Sequence, residues 1–124
     1  MSFDPQTLTY NDAGLIPAIA QDATSGEVLM MAWMNAEAVT RTLETGQVTY
    51  WSRSRQEFWV KGATSGHTQA LVGFRVDCDR DCILMEVNQI GAACHTGRRT
   101  CCYTAVENGD EIEVVKLPQD PPSA

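Results

Sequence analysis

A cluster of five cysteines lies between positions 78 and 102 of this 124-residue chain, and it holds the side chains best suited to metal chemistry. An odd number of cysteines without a secretion signal argues against a disulfide framework. Cys78, Cys94 and Cys101 are separated by 15 and 6 residues and form no paired knuckle, which disfavours a zinc ribbon. Three thiolates would suit a zinc ion with one coordination position left for water. The alternative is that these cysteines are small buried apolar residues.

Three aspartates, Asp77, Asp79 and Asp81, surround Cys78 in the most polar stretch of this region. If a strand continues to Asp79, Val72 and Cys78 lie on one face, whereas Asp77 and Asp79 lie on the other. A soft thiolate suits zinc, and carboxylate oxygens suit magnesium. The pattern therefore predicts two separate metal sites, with a solvated acidic turn as the alternative.

Two histidines, His67 and His95, are the candidates for acid–base catalysis. Both lie in segments rich in glycine, serine and threonine, which are the loop-like settings where functional residues concentrate. A lone histidine is more often structural than catalytic, so a structural role stays open for each of them.

Two short segments combine guanidinium and hydroxyl groups in a chain whose formal net charge is −7. An arginine fork matches two phosphate oxygens at once, and serine or threonine hydroxyls add further donors. Two such segments predict a ligand with two phosphates, while an ordinary basic surface loop is the alternative for either one. The predicted substrate-binding residues are Ser52, Arg53, Ser54 and Arg55 in the first segment, and Thr96, Arg98 and Arg99 in the second.

The elements that must position these residues are mainly strands. Residues 15–20 and 28–33 flank a turn and predict a hairpin. Asn35 is a favourable N-cap, residues 36–43 have helical spacing, and Gly46 is a suitable stop. Because strands follow one another without alternating helices, we expect an α+β fold with a largely antiparallel β-sheet and one clear helix. Further strands are predicted at 48–51, 57–60, 70–78, 83–87, 101–106 and 112–115, with a hairpin turn at Asn108-Gly109.

Length and charge limit the organisation of the chain and its partners. A chain of 124 residues fits one domain, predicted over 1–116 and followed by a flexible Pro-rich tail over 117–124. A net charge of −7 argues against a non-specific nucleic-acid binder, which needs a basic face. No apolar run reaches the ~18 residues of a membrane span, and the N-terminus lacks the features of a signal peptide. We therefore expect a cytoplasmic protein that binds neither nucleic acid nor membrane.

Five segments of the chain together resemble one enzyme family. They are VLMMAWMN at 28–35, YWSRSR at 50–55, WVKGATSGHTQ at 59–69, DCDRD at 77–81 and QIGAACHTGRRTC at 89–101. Each segment is modestly specific alone, but their order and spacing across 14–104 are highly specific. The chain resembles the phosphoribosyl-AMP cyclohydrolases of histidine biosynthesis.

This resemblance implies hydrolysis of the N1–C6 bond of the adenine ring in phosphoribosyl-AMP, which gives the formimino-aminoimidazole carboxamide ribotide. It implies a homodimer with active sites at the subunit interface. It also implies the stand-alone form of the enzyme, because the chain ends too soon for a fused pyrophosphohydrolase domain. The implied metals are one zinc per subunit, bound by Cys78, Cys94 and Cys101 from both chains, and magnesium, bound by Asp77, Asp79 and Asp81.

Cys102 stands where the family usually has an aromatic residue, and the register of the motif assigns the zinc ligand to Cys101. Three thiolates make zinc a weaker Lewis acid than neutral imidazoles would, so the attacking water needs a general base. His67 or His95 is the natural candidate for this base. Two alternatives remain. One is another zinc-dependent nucleobase hydrolase, although the His-x-Glu and Pro-Cys-x-x-Cys signature of the deaminases is missing from the sequence. The other is a non-catalytic zinc module.

Overall fold

A computed structural model of the chain describes residues 2–117. The predicted tail over 117–124 lies outside these residues, except for Leu117. In the described part the chain forms eight strands, one α-helix and a short 3-10 helix at Pro5–Thr7, and no helix there is long and apolar enough to cross a membrane. The bounds are β1 Ile16–Asp22, β2 Val28–Met34, α1 Ala36–Thr45, β3 Thr49–Ser52, β4 Glu57–Val60, β5 Gln69–Val76, β6 Ile83–Gln89, β7 Thr104–Glu107 and β8 Asp110–Glu113.

Four strands form the central sheet in the order β2-β1-β6-β5. The pairs β1–β2 and β5–β6 are antiparallel, and the two halves of the sheet join through a parallel β1–β6 pairing. Burial alternates strictly along β1 from Ile16 to Asp22, which places Ile16, Ala18 and Ala20 in the core. The hairpins β3–β4 and β7–β8 are also antiparallel. The predicted α+β class, with a largely antiparallel sheet and one helix, is therefore confirmed.

The helix α1 forms where the sequence predicts it, because both of its ends carry suitable caps. The Asn35 side chain accepts a hydrogen bond from the Ala38 amide at 2.8 Å, and Gly46 ends the helix with a φ of 74°. Thr42 lies on the buried face, and its hydroxyl accepts a hydrogen bond from the Thr49 amide at 2.9 Å. This contact fixes α1 against the start of β3.

A buried chain of hydrogen bonds connects the β3–β4 hairpin to the central sheet. The Tyr50 hydroxyl donates to Gln69 at 2.8 Å, and the Gln69 amide donates to Gln89 at 2.8 Å. The Gln89 amide donates in turn to the backbone carbonyl of His67 at 3.3 Å. Tyr50 and Gln69 are fully buried, so each of their polar groups needs its partner. The network holds the segment that carries His67 against the sheet.

β5 contains a β-bulge that its apolar pattern does not reveal. Its pairing with β6 shifts between Leu71 and Gly73, and the extra residue Val72 is 58% exposed. A Cβ at Gly73 would lie 2.7 Å from a carboxylate oxygen of Glu86, so glycine permits the close approach of the two strands. The prediction that Val72 shares a face with Cys78 is wrong, because the bulge interrupts the two-residue period.

β5 also ends earlier than predicted. The strand stops at Val76, and a turn follows in which the Arg80 amide donates to the Asp77 carbonyl at 2.8 Å. The predicted strand over 70–78 is therefore too long, and the condition that it continue to Asp79 is not met. Cys78 and its neighbouring aspartates belong to a turn and do not occupy opposite faces of a strand.

The last two strands form a shorter hairpin than the sequence predicts. β7 begins at Thr104, so Cys101 and Cys102 lie in the loop before it. β8 ends at Glu113, and the turn between the strands is at Asn108-Gly109 as predicted, with Asn108 at a φ of 51°.

Candidate functional site

An open cavity of about 930 Å³ is bounded by the β3–β4 hairpin, the segment after β4 and the loop before β7. Concave surfaces with a few convergent polar groups are typical binding sites for small molecules. Two side chains in its wall are ones that the sequence patterns do not single out: Phe58 and Lys61. The residues predicted for chemistry that line it are Ser52, Arg55, His67, Cys94, His95 and Cys101.

Cys94 and Cys101 meet in this cavity because the loop that carries them folds back on itself and on β2. The Cys94 amide donates to the Arg98 carbonyl at 3.1 Å, which closes the loop. The Cys101 amide donates to the Leu29 carbonyl at 2.7 Å, which anchors the end of the loop to β2. The two thiols lie near enough for each to shift the pKa of the other.

The two thiols differ in acidity. Desolvation acts to raise the pKa of Cys94, but hydrogen bonds from Thr96 and Cys101 and the charge of Arg98 outweigh it, and this pKa lies below its ordinary value. The Thr96 hydroxyl donates to the Cys94 sulfur at 3.0 Å. Partial desolvation, followed by negative charge on Cys94, raises the pKa of Cys101 to about 11. Cys94 is therefore the thiol that ionises first.

Lys61 is a buried cation in the cavity wall. The residue is 8% exposed, and its Nζ donates to the Ala93 carbonyl at 2.9 Å. Burial lowers the pKa of Lys61, while negative charge on Cys101 and Cys94 acts in the opposite direction. The ammonium also lies 5.7 Å from the ring centroid of Trp59. The sequence gives no direct signal that Lys61 is a buried cation, because its burial and its partners depend on the fold.

His67 and His95 share the cavity but are held differently. A Cβ at Gly91 would lie 2.5 Å from the His67 ring, and a Cβ at Gly62 would lie 2.4 Å from the His67 carbonyl carbon. Two glycines therefore allow the chain to pack tightly around His67. His95 is exposed, whereas His67 is half-buried.

The first arginine segment is the turn between β3 and β4. The Ser52 hydroxyl accepts a hydrogen bond from the Arg55 amide at 3.2 Å and lies 3.5 Å from the Ser54 hydroxyl. The Arg53 guanidinium lies over Trp33, 4.9 Å from the ring centroid. Both arginines are exposed, and Arg55 lines the cavity. This turn offers two accessible guanidinium groups beside two hydroxyls.

The arginines of the second segment form ion pairs within the chain. Arg98 pairs with Glu113 of β8, and Arg99 lies 3.2 Å from Asp22 and 2.7 Å from Glu27. These contacts connect the loop to β8 and to the β1–β2 hairpin. A phosphate bound here would have to share the guanidinium groups with these carboxylates.

The three aspartates predicted to bind magnesium lie outside the cavity, on the turn between β5 and β6. Asp77, Cys78 and Asp79 each bring one potential ligand atom to within 4.8 Å of the others, and all three are exposed. Asp77 and Asp81 share a hydrogen bond, which lowers the pKa of Asp77 and raises that of Asp81. The turn thus presents the Cys78 thiol and the carboxylates of Asp77 and Asp79 together, whereas the sequence pattern predicted them on opposite faces of a strand.

A family model described as phosphoribosyl-AMP cyclohydrolase matches residues 30–103, a range that includes every residue lining the cavity. The chain belongs to the phosphoribosyl-AMP cyclohydrolase family. The phosphoribosyl-AMP cyclohydrolases of Dinoroseobacter shibae and Ruegeria pomeroyi are each 72% identical to this chain over 115 residues, which cover 93% of it and 97% of the relative. The one from Roseobacter denitrificans is 67% identical over 118 residues, covering 95% of this chain and 91% of the relative. The predicted family membership is confirmed.

The potential metal ligands of this cyclohydrolase-family chain are divided between two places. Cys94 and Cys101 offer two soft donors at one point of the cavity, which fits zinc. Cys78 lies with Asp77 and Asp79, which form the one compact group of three potential ligands within residues 2–117. Consequently, the three predicted zinc ligands do not come together within residues 2–117 of one copy of the chain.

Proposed function

We propose that this member of the cyclohydrolase family hydrolyses the N1–C6 bond of the adenine ring in phosphoribosyl-AMP, a step of histidine biosynthesis. The observation that carries the proposal is the convergence of two thiols and two histidines in one cavity, which lies entirely within the family match. The volume of about 930 Å³ suits a nucleotide-sized ligand. The high identity to proteins named phosphoribosyl-AMP cyclohydrolase supports the same reaction.

We infer that Cys94 and Cys101 of one chain bind a zinc ion together with Cys78 of a second copy. The support is chemical: two thiols meet in the cavity, and the third lies exposed on the turn between β5 and β6, outside the cavity. A homodimer would complete two such sites, because each copy supplies what the other needs. When bound, one zinc per subunit supplies a Lewis acid that makes a nearby water more acidic.

The histidines of the chain would handle the protons of the reaction. The water loses a proton as its oxygen bonds to C6, and N1 gains a proton as the N1–C6 bond breaks. His67 or His95 accepts the first proton and returns one to N1. The second proton of the water passes from the oxygen to the exocyclic nitrogen on C6, so that C6 becomes the carbon of a carboxamide. Both side chains line the cavity in which this transfer would occur.

The two arginine segments would bind the two phosphates of the substrate. Stacking on Trp33 orders the Arg53 guanidinium before a ligand arrives, and Arg55 already faces the cavity. Arg98 and Arg99 would exchange part of their carboxylate contacts for phosphate oxygens. The full proposed set is Ser52, Arg53, Ser54 and Arg55 for one phosphate, and Thr96, Arg98 and Arg99 for the other.

Magnesium would bind at the turn between β5 and β6, through Asp77, Asp79 and Asp81. Asp77 and Asp79 each bring a carboxylate oxygen to within 4.8 Å of the other, and carboxylate oxygens are the ligands that magnesium prefers. Carboxylates on an exposed turn also leave room for the water ligands that magnesium keeps. The protein would perform this reaction in the cytoplasm.

The decisive experiment follows the absorbance of purified full-length protein incubated with phosphoribosyl-AMP, with zinc content measured on the same sample. We expect turnover in zinc-containing protein, loss of turnover after chelation, and recovery when zinc returns. Absence of turnover in zinc-loaded protein would contradict the proposed reaction. Full turnover in protein freed of all transition metal would contradict the zinc chemistry alone.

Two adjacent cysteines provide a matched pair of variants for the ligand assignment. We expect Cys101→Ser to lose both zinc and activity, because Cys101 faces Cys94 in the cavity. Cys102→Ser should keep both, since Cys102 is exposed and does not line the cavity. The reverse result would transfer the ligand role to Cys102.

A further inference from the structure

Lys61 is a buried ammonium with no carboxylate partner within residues 2–117. Lysine is almost never buried unless its charge is paired, because desolvation of an unpaired ammonium is costly. The one hydrogen bond of its Nζ in the described part goes to a neutral acceptor, the Ala93 carbonyl, at 2.9 Å. The buried charge of Lys61 is therefore not stabilised by an ordinary ion pair with a carboxylate, and another group must stabilise it.

The groups that favour the positive charge of Lys61 are the sulfurs of Cys101 and Cys94. All three side chains line the same cavity, so the ammonium and the thiol pair share one space that water and ligands can enter. The hydrogen bond from Lys61 to Ala93 also holds the backbone one residue before Cys94. Lys61 can thus act on the thiol pair in two ways, through its charge and through the backbone of the loop.

We propose that Lys61 is a positioning residue for the zinc site, which offsets the negative charge of the thiolates and fixes the loop that carries Cys94. The inference rests on the zinc ligands proposed above. A zinc ion with three thiolates has a net charge of −1, and a buried cation beside such a group stabilises it electrostatically. Groups next to metal ligands commonly tune metal affinity in this way.

A purely structural role for Lys61 makes a different prediction, and charge-matched variants separate the two. Lys61→Met keeps most of the length and removes the charge, and Lys61→Gln keeps a donor for the Ala93 carbonyl without the charge. Lys61→Arg keeps the charge. Lys116→Met, at the other lysine of the chain, is the control for loss of a lysine charge outside the cavity wall.

The experiment measures zinc affinity of the metal-depleted full-length proteins by competition with a chromogenic chelator, and records the thiolate-to-metal absorption of the cobalt-loaded proteins. We expect both neutral variants to bind zinc about 10- to 100-fold more weakly than the wild type. Lys61→Arg should recover most of the affinity, and Lys116→Met should match the wild type. The cobalt spectrum should shift in the neutral variants and stay unchanged in the control.

Two results would overturn the inference. One is wild-type zinc affinity in a folded Lys61→Met or Lys61→Gln protein. The other is an equal loss in Lys61→Arg and the neutral variants, which would reduce Lys61 to a packing role. A wild-type protein that binds no zinc would instead refute the proposed metal site itself, and the wild-type titration, performed first, distinguishes the two failures.

Discussion

At the scale of single residues, the two histidines of the cavity differ in how closely the backbone surrounds them. Gly91 lies against the His67 ring, so a methyl group in its place would have to displace that ring. We expect Gly91→Ala to lower kcat about tenfold or more, because a misplaced general base loses much of its effect. The measurement is steady-state turnover of phosphoribosyl-AMP.

Gly14→Ala is the matched control for backbone strain. Gly14 has a φ of 76° and Gly91 a φ of 67°, but a Cβ at Gly14 would meet no atom within 4 Å. Both variants should lose roughly 1 kcal/mol of stability, since both place alanine in the left-handed region. Only Gly91→Ala should lose activity. Separate replacement of His67 and His95 by asparagine completes the test, and full activity in both would end the histidine-base proposal.

Arg53 is the residue at which phosphate binding can be tested most directly. Its guanidinium is exposed and stacked on Trp33, and a lost charged hydrogen bond to a phosphate typically costs about 2 kcal/mol or more. We expect Arg53→Ala to raise KM at least about tenfold with a smaller change in kcat. Arg75→Ala, which removes an exposed arginine paired with Glu86, should leave KM unchanged. An unchanged KM in Arg53→Ala would count against the β3–β4 turn as a phosphate site.

At the scale of elements, the β1–β2 turn depends on one carboxylate. Asp22 accepts hydrogen bonds from the amides of Ser25 at 2.7 Å and Thr24 at 3.2 Å and lies 3.2 Å from Arg99. These contacts, the Ser25 amide first, hold the pKa of Asp22 below its usual range. The folded-state pKa is lowered, so the stabilisation is present above the unfolded-state pKa and is lost as the pH falls through the folded-state value.

We therefore expect Asp22→Asn to be less stable than the wild type at pH 7, with a difference that shrinks as the pH falls below about 4. Urea unfolding of both proteins at several pH values measures this. Asp110→Asn, at an exposed aspartate in β8, is the control and should show no such convergence. A pH-independent difference would show that Asp22 acts through packing and not through its charge.

The junction between the β3–β4 hairpin and the sheet depends on the Tyr50 hydroxyl. Tyr50→Phe would leave the buried Gln69 oxygen without its donor, which typically costs about 1–3 kcal/mol. Tyr103→Phe, at a half-buried tyrosine under Arg98, should cost less. Urea unfolding gives both values. Equal stability of Tyr50→Phe and the wild type would mean that the hairpin is held by its apolar contacts alone.

At the scale of the whole molecule, a zinc site shared between subunits predicts complementation between inactive variants. In the proposed homodimer, Cys78→Ser and Cys94→Ser would each remove a ligand from both sites. In a heterodimer of the two, one site keeps all of its ligands. Random pairing gives half heterodimers, so a mixture should recover about a quarter of wild-type activity.

Cys94→Ser mixed with Cys101→Ser is the control, because both changes remove ligands that one chain supplies together. This mixture should stay inactive. Co-expression with two different affinity tags permits isolation of each heterodimer before assay and zinc analysis. Recovery in both mixtures, or in neither, would contradict the division of ligands between subunits.

The sequence by itself determined the local elements and the family. Asn35 and Gly46 delimit α1, the apolar run at 15–20 predicts β1, and Asn108-Gly109 makes the last turn, because each of these signals acts between residues close in the chain. The sequence also indicated the candidate site residues, since thiols, imidazoles and guanidinium groups are recognisable by type and spacing. The order of the five segments indicated the family that the comparisons confirm.

Only the tertiary structure decided how distant parts of the chain meet. The parallel β1–β6 pairing, the bulge at Val72 and the end of β5 at Val76 depend on partners remote in sequence, which no local period encodes. The same holds for Lys61, which is buried and bonded to the backbone carbonyl of Ala93, 32 residues further along the chain. Distances between such groups follow from the packing of the whole domain. For this reason, the chemistry that they can perform together is seen only in the three-dimensional structure.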